Sequence, residues 1–294
     1  MNRRHFLRNS SFTILAGAGG NFQSLRALEA DNVYRNAIGL QLYTLRNELK
    51  ADTVGTIKAV AKLGYKQVEP FGFPNASDMI SAAKDSGLAV NSSHFEWKSV
   101  LDAGKEGVLP FEEILTAAKE AGLSHLVVPY LEDFRRKDLD GYKNVAEKCN
   151  LAAEQAKAAG IQLSYHNHAF EFEPMDGGKS GFDTLIDEFS PDMQFELDVF
   201  WVKVGGQEPT EIIKKLKGRV SQLHLKDLKK DVSVPEYGQL DKDAFQELGD
   251  GMIDMEPIIV AAKDAGVKLC HVEQDHSPDP LASLEQSMAF LKAL

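Results

Sequence analysis

The sequence predicts a single (β/α)8 barrel, and three observations carry that expectation. From residue 37 onward one unit recurs: an amphipathic helix, a glycine at its end, then a short apolar strand. The repeats supply eight strands, and about 250 residues is the usual span of such a barrel. No Gly-x-Gly-x-x-Gly follows the first strand, which removes the main support for an open dinucleotide-binding sheet.

The helix ends read Leu63-Gly64-Tyr65, Ser86-Gly87-Leu88, Ala121-Gly122-Leu123, Ala159-Gly160-Ile161, Lys217-Gly218-Arg219 and Ala265-Gly266-Val267. Glycine stops a helix in the left-handed conformation without a Cβ penalty. Strands are expected at 39–43, 67–70, 89–94, 125–129, 162–166, 194–198, 221–225 and 268–273. Helices at 54–63, 111–121, 142–159, 208–216 and 256–265 fit between them. This alternation implies right-handed crossovers and a parallel sheet. Two connections, 95–110 and 228–252, are longer than the rest and follow strand C-terminal ends, so both are candidate lids. No linker or low-complexity tract interrupts the barrel, which is read as one domain over 31–294.

The 294 residues are 43% hydrophobic and 26% charged, an ordinary globular balance. A net charge of -11 argues against a nucleic-acid backbone as partner. No stretch approaches the roughly eighteen apolar residues of a membrane span. The cysteines, Cys149 and Cys270, fall in a helical and an apolar strand pattern and read as buried free thiols. The first thirty residues read separately. Asn2-Arg3-Arg4-His5-Phe6-Leu7-Arg8 resembles a twin-arginine export signal, an apolar run follows from Phe12 to Gly20, and Leu28-Glu29-Ala30 suits cleavage. Export to the periplasm, or otherwise out of the cytoplasm, is the expectation.

Chemistry gathers at the strand ends. In Tyr165-His166-Asn167-His168 the two imidazoles point to one face, since strand side chains alternate. Strand six ends in Asp198, strand seven carries His224 and strand eight Glu273, and a barrel brings these ends to one mouth. His166, Asp198, His224 and Glu273 therefore form a candidate metal site, with Glu171 a rival for the place of His166. Two imidazoles and two carboxylates suit Mn²⁺, Co²⁺, Fe²⁺ or Zn²⁺ better than Ca²⁺. Glu196, taken alone, reads as a rim charge paired with a neighbour.

Three of these pieces resemble the xylose isomerase-like family of sugar isomerases and epimerases, which includes inosose and dehydroshikimate dehydratases. They are the Leu-Asp of 195–201, His224-Leu225-Lys226-Asp227, and Val272-Glu273. The resemblance covers about 37–294. It implies one divalent metal held by Glu, Asp, His and Glu from the last four strands. Asp198, His224 and Glu273 match; strand five departs, with His166-Asn167-His168 where Glu-Asn-His is common.

The expected function is a metal-dependent sugar isomerase or epimerase working through an enediolate on a free or oxidised keto sugar. Dehydration is the alternative, since the same carbanion expels a beta leaving group. His168 and Glu171 are the expected base and acid, and Lys226 balances oxyanion charge. Glu69, His94 and Trp201 are expected to line the pocket. An exported sugar-binding protein is the rival class, but binding alone needs no four-ligand metal. The expected partner is a small carbohydrate.

Overall fold

Eight strands, each followed by a helix, run through the residues that the computed structural model describes, 33–294. The expected export signal lies outside them. The barrel strands are β1 Gly39–Gln41, β2 Gln67–Glu69, β3 Ser92–His94, β4 His125–Val128, β5 Gln162–His166, β6 Met193–Asp198, β7 Val220–Leu225 and β8 Leu269–Val272. They pair in parallel in the order β2-β1-β8-β7-β6-β5-β4-β3. Parallel bridges Gln67↔Ala89 and Phe73↔Phe95 join the two outer strands and close the ring.

The longer helices that cover the barrel are α1 Thr53–Leu63, α2 Ser77–Asp85, α3 Phe111–Ala121, α4 Leu139–Ala158, α5 Gly181–Glu188, α6 Pro209–Lys215, α7 Met255–Ala265 and α8 Pro280–Ala293. Local signals set their ends. The Asp52 carboxylate caps α1 by accepting from the Gly55 N–H at 2.9 Å, and Ser180 with Asp183 forms a capping box on α5. All six helix-ending glycines read from the sequence have positive φ. The first strand is shorter than expected because the Gln41 side chain accepts from the Tyr43 N–H at 3.1 Å and starts a 3₁₀ turn, Leu42–Leu45. The third is shorter too, starting at Ser92.

Alternation splits each strand between two environments. Phe195, Leu197, Leu223 and Leu225 are fully buried in the apolar core. Each such side chain stabilises by about 1.5–3 kcal/mol. The alternate positions fill the barrel with polar groups rather than the branched aliphatics usual there. Ser164 and Ser221 hydroxyls lie 2.8 Å apart, and Gln41, Glu69, Ser92, Glu196, Gln222 and His271 are buried at 0% exposure. An irregularity between β6 and β7 at Phe195/Glu196 sets the register that puts Asp198 opposite His224. Gly39 has no room for a side chain: a Cβ there would stand 2.4 Å from His271 Cδ2. Cys149 and Cys270 are free and buried, and burial pushes both thiols up to about 12.

Candidate active site

Asp198 closes β6 and starts the short helix Val199–Val204. Its Oδ1 accepts from the Phe200 and Trp201 N–H groups at 2.9 and 3.1 Å, which caps that helix. Its Oδ2 is 3.2 Å from His166 Nε2 and 3.1 Å from Lys226 Nζ. His224 Nδ1 lies 2.9 Å from Glu273 Oε2. One donor atom each from His166, Asp198, His224 and Glu273 therefore falls within 4.8 Å of the others, and all four residues are buried. Glu171, the rival ligand, is not among them.

A second polar layer lies against the first. Glu69 Oε1 is 2.9 Å and Glu196 Oε1 3.1 Å from His224 Nε2. The Gln222 amide donates to Glu69 at 2.8 Å, to Ser92 at 2.9 Å and to Glu196. His94 Nε2 bonds the other Glu196 oxygen at 2.7 Å. Two expectations change here. Glu69 does not line the pocket: it is fully enclosed, held by Gln41, Gln222 and His224. Glu196 is not a rim charge but a member of this interior layer. It sits two residues before Asp198, so alternation put it on the same face, one layer deeper.

The mouth opens into a cavity of about 470 Å³, lined by His94, His166, His168, Lys226, Glu273 and Asp275 together with Tyr43, Trp97 and Tyr130. An outer cavity of about 720 Å³ shares Tyr43, Tyr130, His168 and Asp275, and adds Trp201 and residues 237–240. Residues of both long connections line these spaces. The His168 ring stacks on Phe170 and meets the Tyr130 and Trp201 rings 5.3 Å away. Glu171 is a further correction. The 3₁₀ turn Phe170–Phe172 carries its carboxylate away from both cavities, where it accepts from Tyr165 Oη at 2.5 Å and the His168 N–H at 2.8 Å. Tyr165 lies on the apolar-core side of β5, so Glu171 sits behind the wall rather than in the mouth. Burial, against these hydrogen bonds, raises its carboxyl to about 8.

Charge is concentrated around Lys226, which is 2% exposed. Its ammonium lies 3.1 Å from Asp198, 2.7 Å from Glu273 and 3.1 Å from Asp275. Burial opposes its charge, but these carboxylates outweigh that and hold the lysine well above its ordinary value. Burial depresses His168 well below the ordinary imidazole value, and His166 and Lys226 add to the effect. A neutral imidazole therefore faces the cavity. For His224 burial is again opposed, and the Glu196 and Glu273 carboxylates raise it well above the usual range.

The donor set fits a divalent cation. Three carboxylates, Asp198, Glu273 and Asp275, surround one ammonium, so negative charge remains in excess of what Lys226 supplies. His224 Nδ1 and Glu273 Oε2 stand 2.9 Å apart and both are buried, and the same Glu273 oxygen lies 2.7 Å from Lys226 Nζ. Adjacent ligands about 2.0–2.2 Å from one ion stand roughly 3 Å apart. Mixed nitrogen and oxygen donors suit Mn²⁺, Co²⁺, Fe²⁺ or Zn²⁺.

The family model for the xylose isomerase-like TIM barrel matches residues 57–294. The chain belongs to that family. Inosose dehydratase from Clostridium perfringens is 30% identical over 163 residues, which cover 51% of this chain and 54% of the relative. Inosose dehydratase from Klebsiella pneumoniae is 28% identical over 145 residues, 46% of this chain and 48% of that one. The chain thus spans about half the length of these relatives. A solved sugar phosphate isomerase/epimerase from Parabacteroides distasonis superposes with a TM-score of 0.71 at 28% identity, over 88% of this chain and 94% of that one. The 3-keto-D-glucoside 4-epimerase of E. coli shares the fold, with a TM-score of 0.63 at 15% identity over 87% and 99% of the two chains.

Proposed function

We propose that this protein is a divalent-metal-dependent sugar isomerase or epimerase acting on a keto sugar. The observation that carries the reading is the buried His166, Asp198, His224 and Glu273 group opening into a cavity beside a neutral imidazole, His168. A divalent ion held there would serve as a Lewis acid toward a carbonyl and its neighbouring hydroxyl. His168, being neutral, accepts the proton from the carbon between them. Lys226 stands at the same cavity and offsets the negative charge that develops on oxygen. His94 and Trp201 bound the space in which the ring is oriented. Protonation of that carbon from the other face by solvent gives epimerisation, and return of the proton by His168 to the next carbon gives isomerisation.

Dehydration is the second reading, favoured by the inosose dehydratase relatives and by the position of Glu171. With Glu171 behind the wall, one imidazole that removes the proton and then hands it to a departing hydroxyl suffices for elimination. The test is incubation of keto sugars, an inosose and a 3-keto-glucoside among them, in deuterated water followed by NMR. Deuterium next to the carbonyl without loss of water supports the first reading, and an unsaturated product the second. Binding without either would make the chain a binding module.

Export is part of the same proposal, resting on Arg3-Arg4 and the apolar run after them. Replacing both arginines by lysine should retain precursor in the cytoplasm. Processed protein outside despite the change would refute a twin-arginine route.

A further inference from the structure

We propose that Glu196 is a positioning residue that fixes His224 as a metal ligand through Nδ1 and links it to the substrate-side imidazole His94; this rests on the metal reading above. His224 Nε2 faces two carboxylate oxygens, Glu69 Oε1 at 2.9 Å and Glu196 Oε1 at 3.1 Å. Both are acceptors, so this nitrogen carries a proton. A cation binding here would displace the second proton of the ring, leaving the lone pair on Nδ1, 2.9 Å from Glu273 Oε2. Carboxylates that hold the far nitrogen of a ligating histidine fix its tautomer and raise its basicity.

The two glutamates differ in where their other oxygen leads. Glu69 ends on the amide of Gln222. Glu196 ends on His94 Nε2 at 2.7 Å, and His94 lines the inner cavity. Two hydrogen bonds and one carboxylate thus connect the cavity wall to a candidate ligand. The same four residues, Glu69, His94, Glu196 and His224, also bring donor atoms within 4.8 Å, as a second cation site would. Gln222 Nε2 argues against that use, because it donates to both glutamates from between them, where a cation would meet an amide donor.

The experiment is Co²⁺ titration of the full chain, reading affinity by calorimetry and ligand geometry by the visible d–d spectrum. Wild type, Glu196→Gln and His94→Gln are compared, with Glu273→Gln as a ligand control and circular dichroism to establish folding. The proposal expects one Co²⁺ per wild-type chain, and a roughly 10–100-fold weaker site with an altered spectrum in Glu196→Gln. His94→Gln, which touches no candidate ligand directly through that bond, should shift the spectrum in the same direction. Should Glu196→Gln fail to fold, His94→Gln alone decides. One Co²⁺ bound by folded variants with wild-type affinity and spectrum would overturn the positioning role while leaving the metal reading intact. Two Co²⁺ per wild-type chain would replace it with a second site, and none would overturn both this proposal and the metal reading.

Discussion

Replacing Asp198 once by Asn and once by Ala separates the work of its two oxygens. Oδ1 caps the helix Val199–Val204 through two backbone N–H groups, while Oδ2 faces His166 and Lys226. Asn keeps a cap acceptor and loses the ligand charge; Ala loses both. A lost cap costs about 1 kcal/mol. In a chain of this size that corresponds to roughly 2–4 °C of melting temperature. With chelator present, Asp198→Ala should therefore melt about that far below Asp198→Asn, because the charge change is common to both. Added metal should stabilise wild type by about 2.7 kcal/mol at a hundred times its dissociation constant. Neither variant should show that gain. Circular dichroism melts with and without metal read both effects. Coincident melting of the two variants in chelator would refute the capping argument. A wild-type metal shift in either would refute the ligand role.

Other substitutions test neighbouring links. Lys226→Met leaves the buried Asp198 and Glu273 carboxylates and the half-buried Asp275 without their ammonium, so it should lower stability by about 3–5 kcal/mol without metal; metal should restore part of this, and an unchanged melt would contradict the charge account. His168→Gln should cut turnover by roughly a hundredfold or more while leaving metal affinity unaltered, which steady-state kinetics and calorimetry would check. Glu171 supplies a pH dependence. Its folded carboxyl, at about 8, lies above its ordinary value, so the stability it contributes is full below about 4.5 and lost as pH rises through 8. The window corresponds to about 5 kcal/mol at most. Glu171→Gln should lose less melting temperature than wild type between pH 6 and pH 9, and equal losses would count against the buried placement.

The barrel was legible because helix-ending glycines and period-two strands are local signals, written within a few residues of the element they shape. The four-strand donor group was legible for a related reason: closure of the barrel alone brings His166, Asp198, His224 and Glu273 to one end. Depth was not legible. Nothing near Glu196 tells that its partner is His94, 102 residues away, or that Gln222 bridges it to Glu69, 153 residues from that glutamine. Alternation alone marked Glu196 as facing inward with Asp198. Glu171 shows the opposite failure. Its closeness in sequence to His168 suggested a shared site, yet one 3₁₀ turn sends the two side chains to opposite sides of the strand wall.

Proton exchange at carbon tests the central claim most directly. A turned-over keto sugar, incubated in deuterated water with the metal-loaded protein, should gain deuterium beside its carbonyl or lose water to an unsaturated product. The same sample after chelation should do neither, since a sugar carbon acid is too weak to ionise at neutral pH without a Lewis acid. Exchange that persists undiminished in the chelated protein would contradict the account.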